Sequence, residues 1–306
     1  MYKKKKKMNK QIAILLASYN GVKYIKEQVD SILNQKEVNV TVFISDDLST
    51  DGIIEYIQDI YMKEKRVVYL QSNQKFGGAA KNFYRLIKDV DFSNFDFISL
   101  ADQDDIWYED KLIRAINTIK DRQIDAYSSN VLAFWEDGKQ MVLEKAQPQV
   151  KYDYLFEAAG PGCTYVLTKK LANDIKEFMI KNWEQINQID LHDWLIYAYS
   201  RENNYKWYID KIPTMRYRQH ISNQVGANDG LNAKIKRFKL VFSSWYRDET
   251  IKIIKVLNLE HKYKFAKYIL NKSYLNNILL LGYIFDFRRK NKDKVFLTLL
   301  VLFGIY

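Results

Sequence analysis

The sequence predicts an α/β fold with a mostly parallel central sheet flanked by helices, extended at its C-terminal end by a basic helical region. Three observations predict it. Short apolar runs alternate with segments of helical spacing from residue 11 to residue 120. Carboxylates stand where those runs end, at Asp46-Asp47 and at Asp102-Gln103-Asp104-Asp105. Beyond residue 230 the chain turns basic, helix-like and rich in Leu, Ile, Tyr and Phe.

The elements follow in order. Residues 11–18 (QIAILLAS) read as a buried strand, and Tyr19-Asn20-Gly21 is turn chemistry. Spacing over 24–35 places Ile25, Val29, Ile32 and Leu33 on one helical face. VTVFIS at 40–45 is a second strand, and Ser49-Thr50-Asp51-Gly52 starts a helix with Ile53, Ile54 and Ile57 inward. Residues 67–70 form a third strand, 73–78 a turn, 79–88 a helix, 95–100 the fourth strand and 111–120 another helix. Strands joined by helices pair in parallel, and ligands of such sheets bind outside the C-terminal strand ends. Asp47 and Asp104 both fall there. Residues 126–134 and 163–167 read as strands, 170–181 and 190–202 as helices, and 205–209 as a short strand. The parts are a basic tail (1–10), a body (11–230) that carries the chemistry, and a basic amphipathic helical region (231–306).

The 306 residues are 47% hydrophobic, which supports a large core, and only 3 Pro and 11 Gly argue against low complexity. A single cysteine, Cys163, excludes an internal disulfide and fits a reducing compartment. The net charge of +11 is confined to the ends. Residues 1–10 hold six Lys and no acid, residues 231–306 hold 16 Lys and Arg against five Asp and Glu, and the middle is mildly acidic. That distribution suits an anionic membrane leaflet and argues against nucleic acid as the partner of the body. No secretory signal precedes the body, and no run reaches the roughly 18 apolar residues of a membrane span. The expected location is cytoplasmic, peripheral on the inner face of the plasma membrane. The apolar stretch 295–306 behind the basic cluster 288–294 either docks at the bilayer interface or packs as a terminal helix on the body.

Three acids within four residues at a strand end repel one another in a partly dry crevice. A divalent cation removes that cost, and Mg2+ and Mn2+ prefer carboxylate oxygens and bridge to phosphates. The strand end at Asp102, Asp104 and Asp105 therefore suggests a metal–diphosphate site.

LASYNG at 16–21, SDDLSTD at 45–51, the turn with Asn73, Gly77, Gly78, Lys81 and Asn82, LADQDDIW at 100–107 and HDW at 192–194 occur in the order found in family 2 glycosyltransferases. The set resembles the bacterial rhamnosyltransferase-like branch, as does YRQH at 217–220 followed by Asn223 and Gly226-Ala227. The resemblance covers roughly residues 11–228. It implies a GT-A fold, a dTDP- or UDP-sugar donor, Mg2+ or Mn2+, and inversion at the anomeric carbon. It favours a rhamnose-like deoxysugar, with a UDP-hexose as the alternative, and a growing or lipid-linked surface glycan as acceptor. By position, Ala17, Ser18, Tyr19 and Asn20 resemble the residues around the base, and Asp47 the acid that accepts the uracil or thymine N–H. Asp104 resembles the principal metal ligand and Asp102 its nucleotide-side partner. Asp193 resembles the catalytic base. Leu48 stands where the family more often has Gly or Asn.

Other assignments keep two readings. His220 serves the metal or diphosphate, or is a satisfied surface histidine. Arg218 and Lys81 contact the diphosphate, or are solvated. Gly162, in Gly160-Pro161-Gly162, lets donor or acceptor approach the backbone, or is an ordinary turn. Trp107, with His192 and Trp194, meets the sugar or acceptor; Trp107 otherwise fills the core. Asp193 also suits the first turn of a helix. Cys163 reads as a small buried residue without a nucleophilic role. A sugar nucleotidyltransferase and a basic membrane or nucleic-acid adaptor are the rival classes. The first lacks its glycine-rich phosphate loop here, and the second has no use for the acids.

Overall fold

The computed structural model describes residues 9–220 and 244–306. The lysine run 3–7, Asn223, Gly226-Ala227 and the boundary near 230 lie outside the described residues.

The first half is a strand–helix alternation. β1 (Lys10–Ser18), α1 (Ile25–Leu33), β2 (Val38–Asp46), α2 (Ile53–Ile60), β3 (Val67–Tyr69), α3 (Ala79–Asp89) and β4 (Phe97–Ala101) follow one another within a residue or two of the expected bounds. β1 is apolar on both faces because it lies between β2 and β4, both parallel to it, under helices on either side. Next come β5 (Ile106–Trp107), α4 (Lys111–Arg122), β6 (Ala126–Ser129), β7 (Val131–Phe134), β8 (Gln140–Leu143), β9 (Val166–Thr168), α5 (Lys169–Lys181), α6 (Trp183–Ile186), α7 (His192–Glu202), β10 (Trp207–Asp210) and β11 (Met215–Arg218). The main sheet has the order β10-β6-β9-β4-β1-β2-β3, with β9 antiparallel to both neighbours. A second sheet, β5-β11-β7-β8, covers its C-terminal edge.

Two expected strands need correction. The run 126–134 is two strands in different sheets. The chain changes sheet at Asn130, whose carboxamide oxygen accepts the Lys145 and Ala146 N–H groups while its nitrogen donates to the Lys211 carbonyl. The run 163–167 opens as a 3-10 turn, Gly162–Thr164, and pairs only from Val166.

The last five helices are α8 (Trp245–Val256), α9 (Lys264–Leu270), α10 (Tyr274–Leu280), α11 (Ile284–Phe287) and α12 (Asn291–Leu302). They pack on the body. Phe287 stacks on Phe156 with ring centres 3.9 Å apart, and each buried Phe is worth roughly 1.5–3 kcal/mol of transfer free energy. Arg289, fully buried, lies 3.2 Å from both Asp153 and Glu157. Arg201 and the Tyr197 hydroxyl of α7 bind the same Asp153 carboxylate at 3.0 Å. The terminal segment is anchored by Arg247, which donates to the Tyr306 carbonyl at 2.9 Å. Its other face stays exposed, including Leu275, Leu279, Phe285, Val295, Leu299 and Phe303. The C-terminal region thus packs on the body through Phe287 and Arg289 and also presents apolar surface. No helix among the described residues is long and apolar enough to cross a membrane.

Candidate active site

β1, β2 and β4 end side by side, with Ser18 paired to Asp46 and Leu16 to Ala101, so three loops meet at one sheet edge. They are stapled together. The Tyr19 N–H donates to Gln103 Oε1 at 2.8 Å, and Gln103 Nε2 donates back to the Tyr19 carbonyl at 2.9 Å. A Cβ on Gly21 would lie 2.1 Å from Gln103 Oε1, so a larger residue there would displace the Gln103 staple.

Several expected donor contacts are occupied by the scaffold. Asn20 binds the Ser49-Thr50 turn, its backbone N–H on Ser49 Oγ at 2.7 Å and its side-chain Oδ1 taking the Thr50 N–H at 2.9 Å. Ser18 is buried and donates to Asp46 at 2.8 Å, and Ala17 is buried in the strand. Asp47 accepts the N–H groups of Phe76, Gly77 (3.0 Å) and Gly78 (2.9 Å). A carboxylate has about four acceptor positions, and three N–H groups of this turn take most of them. Gly77 and Gly78 adopt φ of +85° and +135°, which glycine alone takes without strain. Asp47 therefore shapes the loop. Leu48 sits at φ 56°, left-handed backbone that costs a leucine about 1 kcal/mol. Tyr19 is 46% exposed, with Lys75 Nζ 5.5 Å from its ring centre. Lys81 lies in the first turn of α3, half-buried.

The acids after β4 divide by burial. Asp104 is partly exposed, and His220 Nε2 lies 2.7 Å from its Oδ2. Tyr24 stacks on the His220 ring, centres 5.2 Å apart. Arg218 clamps this loop: its N–H donates to Asp105 Oδ1 (3.0 Å), its Nε to the Asp104 carbonyl (2.8 Å), and it pairs with Glu27. These contacts give Arg218 a structural role on the loop. Asp105 is fully buried, and its Oδ2 has no hydrogen-bond partner among the described residues. Burial, then the charges of Asp104 and Asp102, push the Asp105 carboxyl well up. Burial and then Asp104 push Asp102 up as well, with a smaller contribution from Asp193.

Ligand atoms of Asp102, Asp105 and Cys163 lie within 4.8 Å of one another. Burial drives the Cys163 thiol up, so it stays protonated and is a poor ligand for a hard cation. The fit to Mg2+ or Mn2+ therefore rests on oxygens of Asp102 and Asp104 with the His220 imidazole. Under the cluster, Lys111 is fully buried; desolvation lowers its pKa to about 7 against the pull of Cys163, Asp105 and Asp102.

The opposite wall carries Asp193, in the first turn of α7. Desolvation raises its carboxyl to about 6, although Oδ1 accepts the Trp194 N–H at 2.8 Å. His192 stacks on Phe83 at 4.0 Å, is lowered to about 3 by burial, and has no Nε2 hydrogen-bond partner among the described residues. A Cβ on Gly162 would meet that nitrogen at 2.4 Å and the Asp193 Cβ at 3.3 Å. Gly162 thus lets the His192-Asp193 turn close on the wall. The Tyr165 hydroxyl lies between them, within hydrogen-bond reach of the Gly160 carbonyl (3.1 Å) and the Asp193 carbonyl (3.3 Å).

The two tryptophans expected at the sugar lie beneath the site instead. Trp194 is 2% exposed, donates Nε1 to the Tyr154 carbonyl and stacks on Tyr246. Trp107 is 3% exposed under Lys111. A ring buried that way cannot stack a sugar without unpacking the core. Gln103, Tyr24, Tyr165 and Lys111 went unnoticed in the sequence. Only Lys111 left a readable sign: it shares the buried face of α4 with Ala115 and Ile119, a cation at i, i+4, i+8 spacing with apolar residues.

A parallel sheet with acids at its edge, facing a half-buried aspartate, is the layout of a nucleotide-sugar transferase. The glycosyl transferase family 2 model matches residues 13–165, and this chain belongs to that family. It is 46% identical over 292 residues, 95% of this chain and 100% of the relative, to "dTDP-rhamnosyl transferase RfbG" of Shigella flexneri. "Putative teichuronic acid biosynthesis glycosyltransferase TuaG" of Bacillus subtilis is 27% identical over 51% of this chain and 61% of its own length. Among solved structures, S. aureus TarS 1–349 in complex with UDP-GlcNAc matches with a TM-score of 0.58 at 15% identity, over 96% of this chain and 80% of that one. The mannosyltransferase PcManGT of Pyrobaculum calidifontis, in complex with GDP-Man and Mn2+, matches at 0.52 and 14% identity, over 98% and 86%. Those structural matches show the GT-A-like fold. The protein is a glycosyltransferase, and the nucleotidyltransferase and adaptor readings are set aside.

Proposed function

We propose that this enzyme transfers a rhamnose-type deoxysugar from a dTDP-linked donor to a hydroxyl of a growing surface glycan, with inversion at the anomeric carbon. The near full-length identity to a protein named as a dTDP-rhamnosyl transferase carries the choice of donor. The site chemistry supports the reaction class. Tyr19 offers a ring for the base. Asp102, Asp104 and His220 would hold Mg2+ or Mn2+, which neutralises charge on the departing diphosphate. Asp193 takes the proton from the acceptor hydroxyl, and its carboxyl, raised to about 6, is a stronger base than an exposed aspartate. Attack by the acceptor displaces the diphosphate in one step, so no enzyme nucleophile takes part. His192 beside Asp193 is kept as an acceptor- or sugar-side residue, and Lys81 and Gly162 as donor-side ones. The working division remains a catalytic part (11–230) and a basic helical part (231–306).

The test is a donor screen with Mn2+, read as donor hydrolysis and transfer by mass spectrometry. Turnover of dTDP-rhamnose should exceed that of UDP-glucose, UDP-galactose and UDP-N-acetylhexosamine. A preference for any UDP-hexose would overturn the donor assignment and leave the family intact.

The C-terminal face is proposed to rest on the anionic inner leaflet, near a lipid-linked acceptor. Leu275, Phe285 and Phe303 are each more than 70% exposed, and Lys272 and Lys292 are exposed beside them in the chain. Deleting 284–306 is a poor test, because it also removes buried Phe287 and Arg289, which pack on Phe156 and pair with Asp153 and Glu157. Leu275→Glu with Phe303→Glu changes only surface. This variant should fold normally and lose co-sedimentation with phosphatidylglycerol vesicles. Unchanged partitioning would rule the contact out.

A further inference from the structure

The turn that carries Asp193 is short of local support. Leu191 stands at the N-terminal cap of α7, where a Ser, Thr, Asn or Asp side chain would accept a first-turn N–H, and a leucine cannot. Support comes instead from α8, far along the chain in the C-terminal region. Glu249, fully buried, accepts the Asp190 N–H on Oε2 at 2.9 Å, while its Oε1 takes Lys252 Nζ. Trp245 Nε1 donates to Asp190 Oδ2 at 3.0 Å. The Tyr246 ring stacks on Trp194, centres 5.4 Å apart. Residues of α8 thus hold the chain on both sides of Asp193. From α3, the Tyr84 hydroxyl donates to the Ile189 carbonyl at 3.3 Å and holds the turn from its other end. Burying a carboxylate is costly unless it is hydrogen-bonded and paired, and Glu249 is both.

We propose that Glu249 is a positioning residue: through the Asp190 N–H, with Trp245 and Tyr246 beside it, α8 sets where the Asp193 carboxylate meets the acceptor hydroxyl. The proposal rests on the reading of Asp193 as the base. It makes the basic helical region part of the catalytic wall as well as a packed extension. A misplacement of about 1 Å can cost roughly 100-fold in rate, so a grip on Asp190 reaches the chemistry.

The experiment measures kcat and donor KM with Mn2+, on dTDP-rhamnose or whichever donor of the screen above turns over fastest. Glu249→Leu removes the acceptor oxygens and should lower kcat roughly 10–100-fold, with donor KM within about twofold of wild type, because the carboxylate edge is untouched. Glu249→Gln keeps one carbonyl oxygen for the Asp190 N–H and should recover most of kcat. In the Asp193→Asn background, Glu249→Leu should cost nothing further, since residues that act as a unit are not additive. A merely structural Glu249 would multiply the Asp193→Asn loss. That multiplied loss, or a Glu249→Gln no more active than Glu249→Leu, overturns the proposal. Where Glu249→Leu does not fold, Trp245→Phe makes the same test from the half-buried rim, since it keeps a ring and loses the donor to Asp190. It should lower kcat several-fold at unchanged donor KM, and a wild-type kcat there overturns the proposal too. Full activity of Asp193→Asn alone is a different failure: it refutes the base assignment and takes the positioning role with it.

Discussion

Asp193→Asn is expected to leave nucleotide binding intact and to cut turnover by roughly 10²–10⁴-fold, the range for loss of a general base. The substitution keeps size and removes basicity. Asn can still accept the Trp194 N–H that Asp193 Oδ1 takes at 2.8 Å, so the start of α7 should hold. A pH profile makes the test sharper. Burial raises the Asp193 carboxyl from its ordinary value to about 6. The base works only when ionised, so the wild-type rate should fall as pH drops through about 6, not near 4. In the Asn variant that acid limb should vanish along with most of the rate. Full activity in the variant, or an acid limb that survives it, would remove Asp193 from the mechanism.

Asp104→Ala carries the second large effect. Asp104 is the partly exposed acid of its loop, and His220 Nε2 lies 2.7 Å from it. Asp105 is sealed under Arg218, and Cys163 stays a thiol. Losing Asp104 therefore removes the most accessible hard ligand from the proposed cation site. Titration calorimetry with dTDP or UDP should show Mn2+-dependent binding in wild type and none in the variant. Asp104 holds Arg218 through its backbone carbonyl, so the clamp and the fold should survive the change. Undiminished Mn2+-dependent binding in the Ala variant would move the metal elsewhere.

Much of this site was legible because its chemistry is local in sequence. Asp102, Asp104 and Asp105 stand together after one apolar run, and a strand end places all three at one edge whatever else the chain does. Apolar periodicity likewise located β1 to β4 and α1 to α4, since a strand buried on both faces and an amphipathic helix differ in their repeat. The second sheet was not legible. β5, β8 and β11 are two to four residues long, and β5 and β11 pair with strands far away in the chain. The same limit explains the tryptophans. Trp107 and Trp194 adjoin functional residues in the chain, but their neighbours in space are Lys111, Tyr154 and Tyr246.

By itself, then, the order of residues determined the alternating α/β body, the acidic edge, the basic ends and the resemblance to a sugar-transferring family. Tertiary packing alone decided which polar groups are spent on scaffolding and which stay open: Asp47 bound by three backbone N–H groups, Arg218 clamped on the loop, Lys111 drawn under the acids, Asp193 dried enough to become a better base. The physical reason is that hydrogen-bond satisfaction and desolvation depend on neighbours far away in the chain, and no residue reveals its own burial.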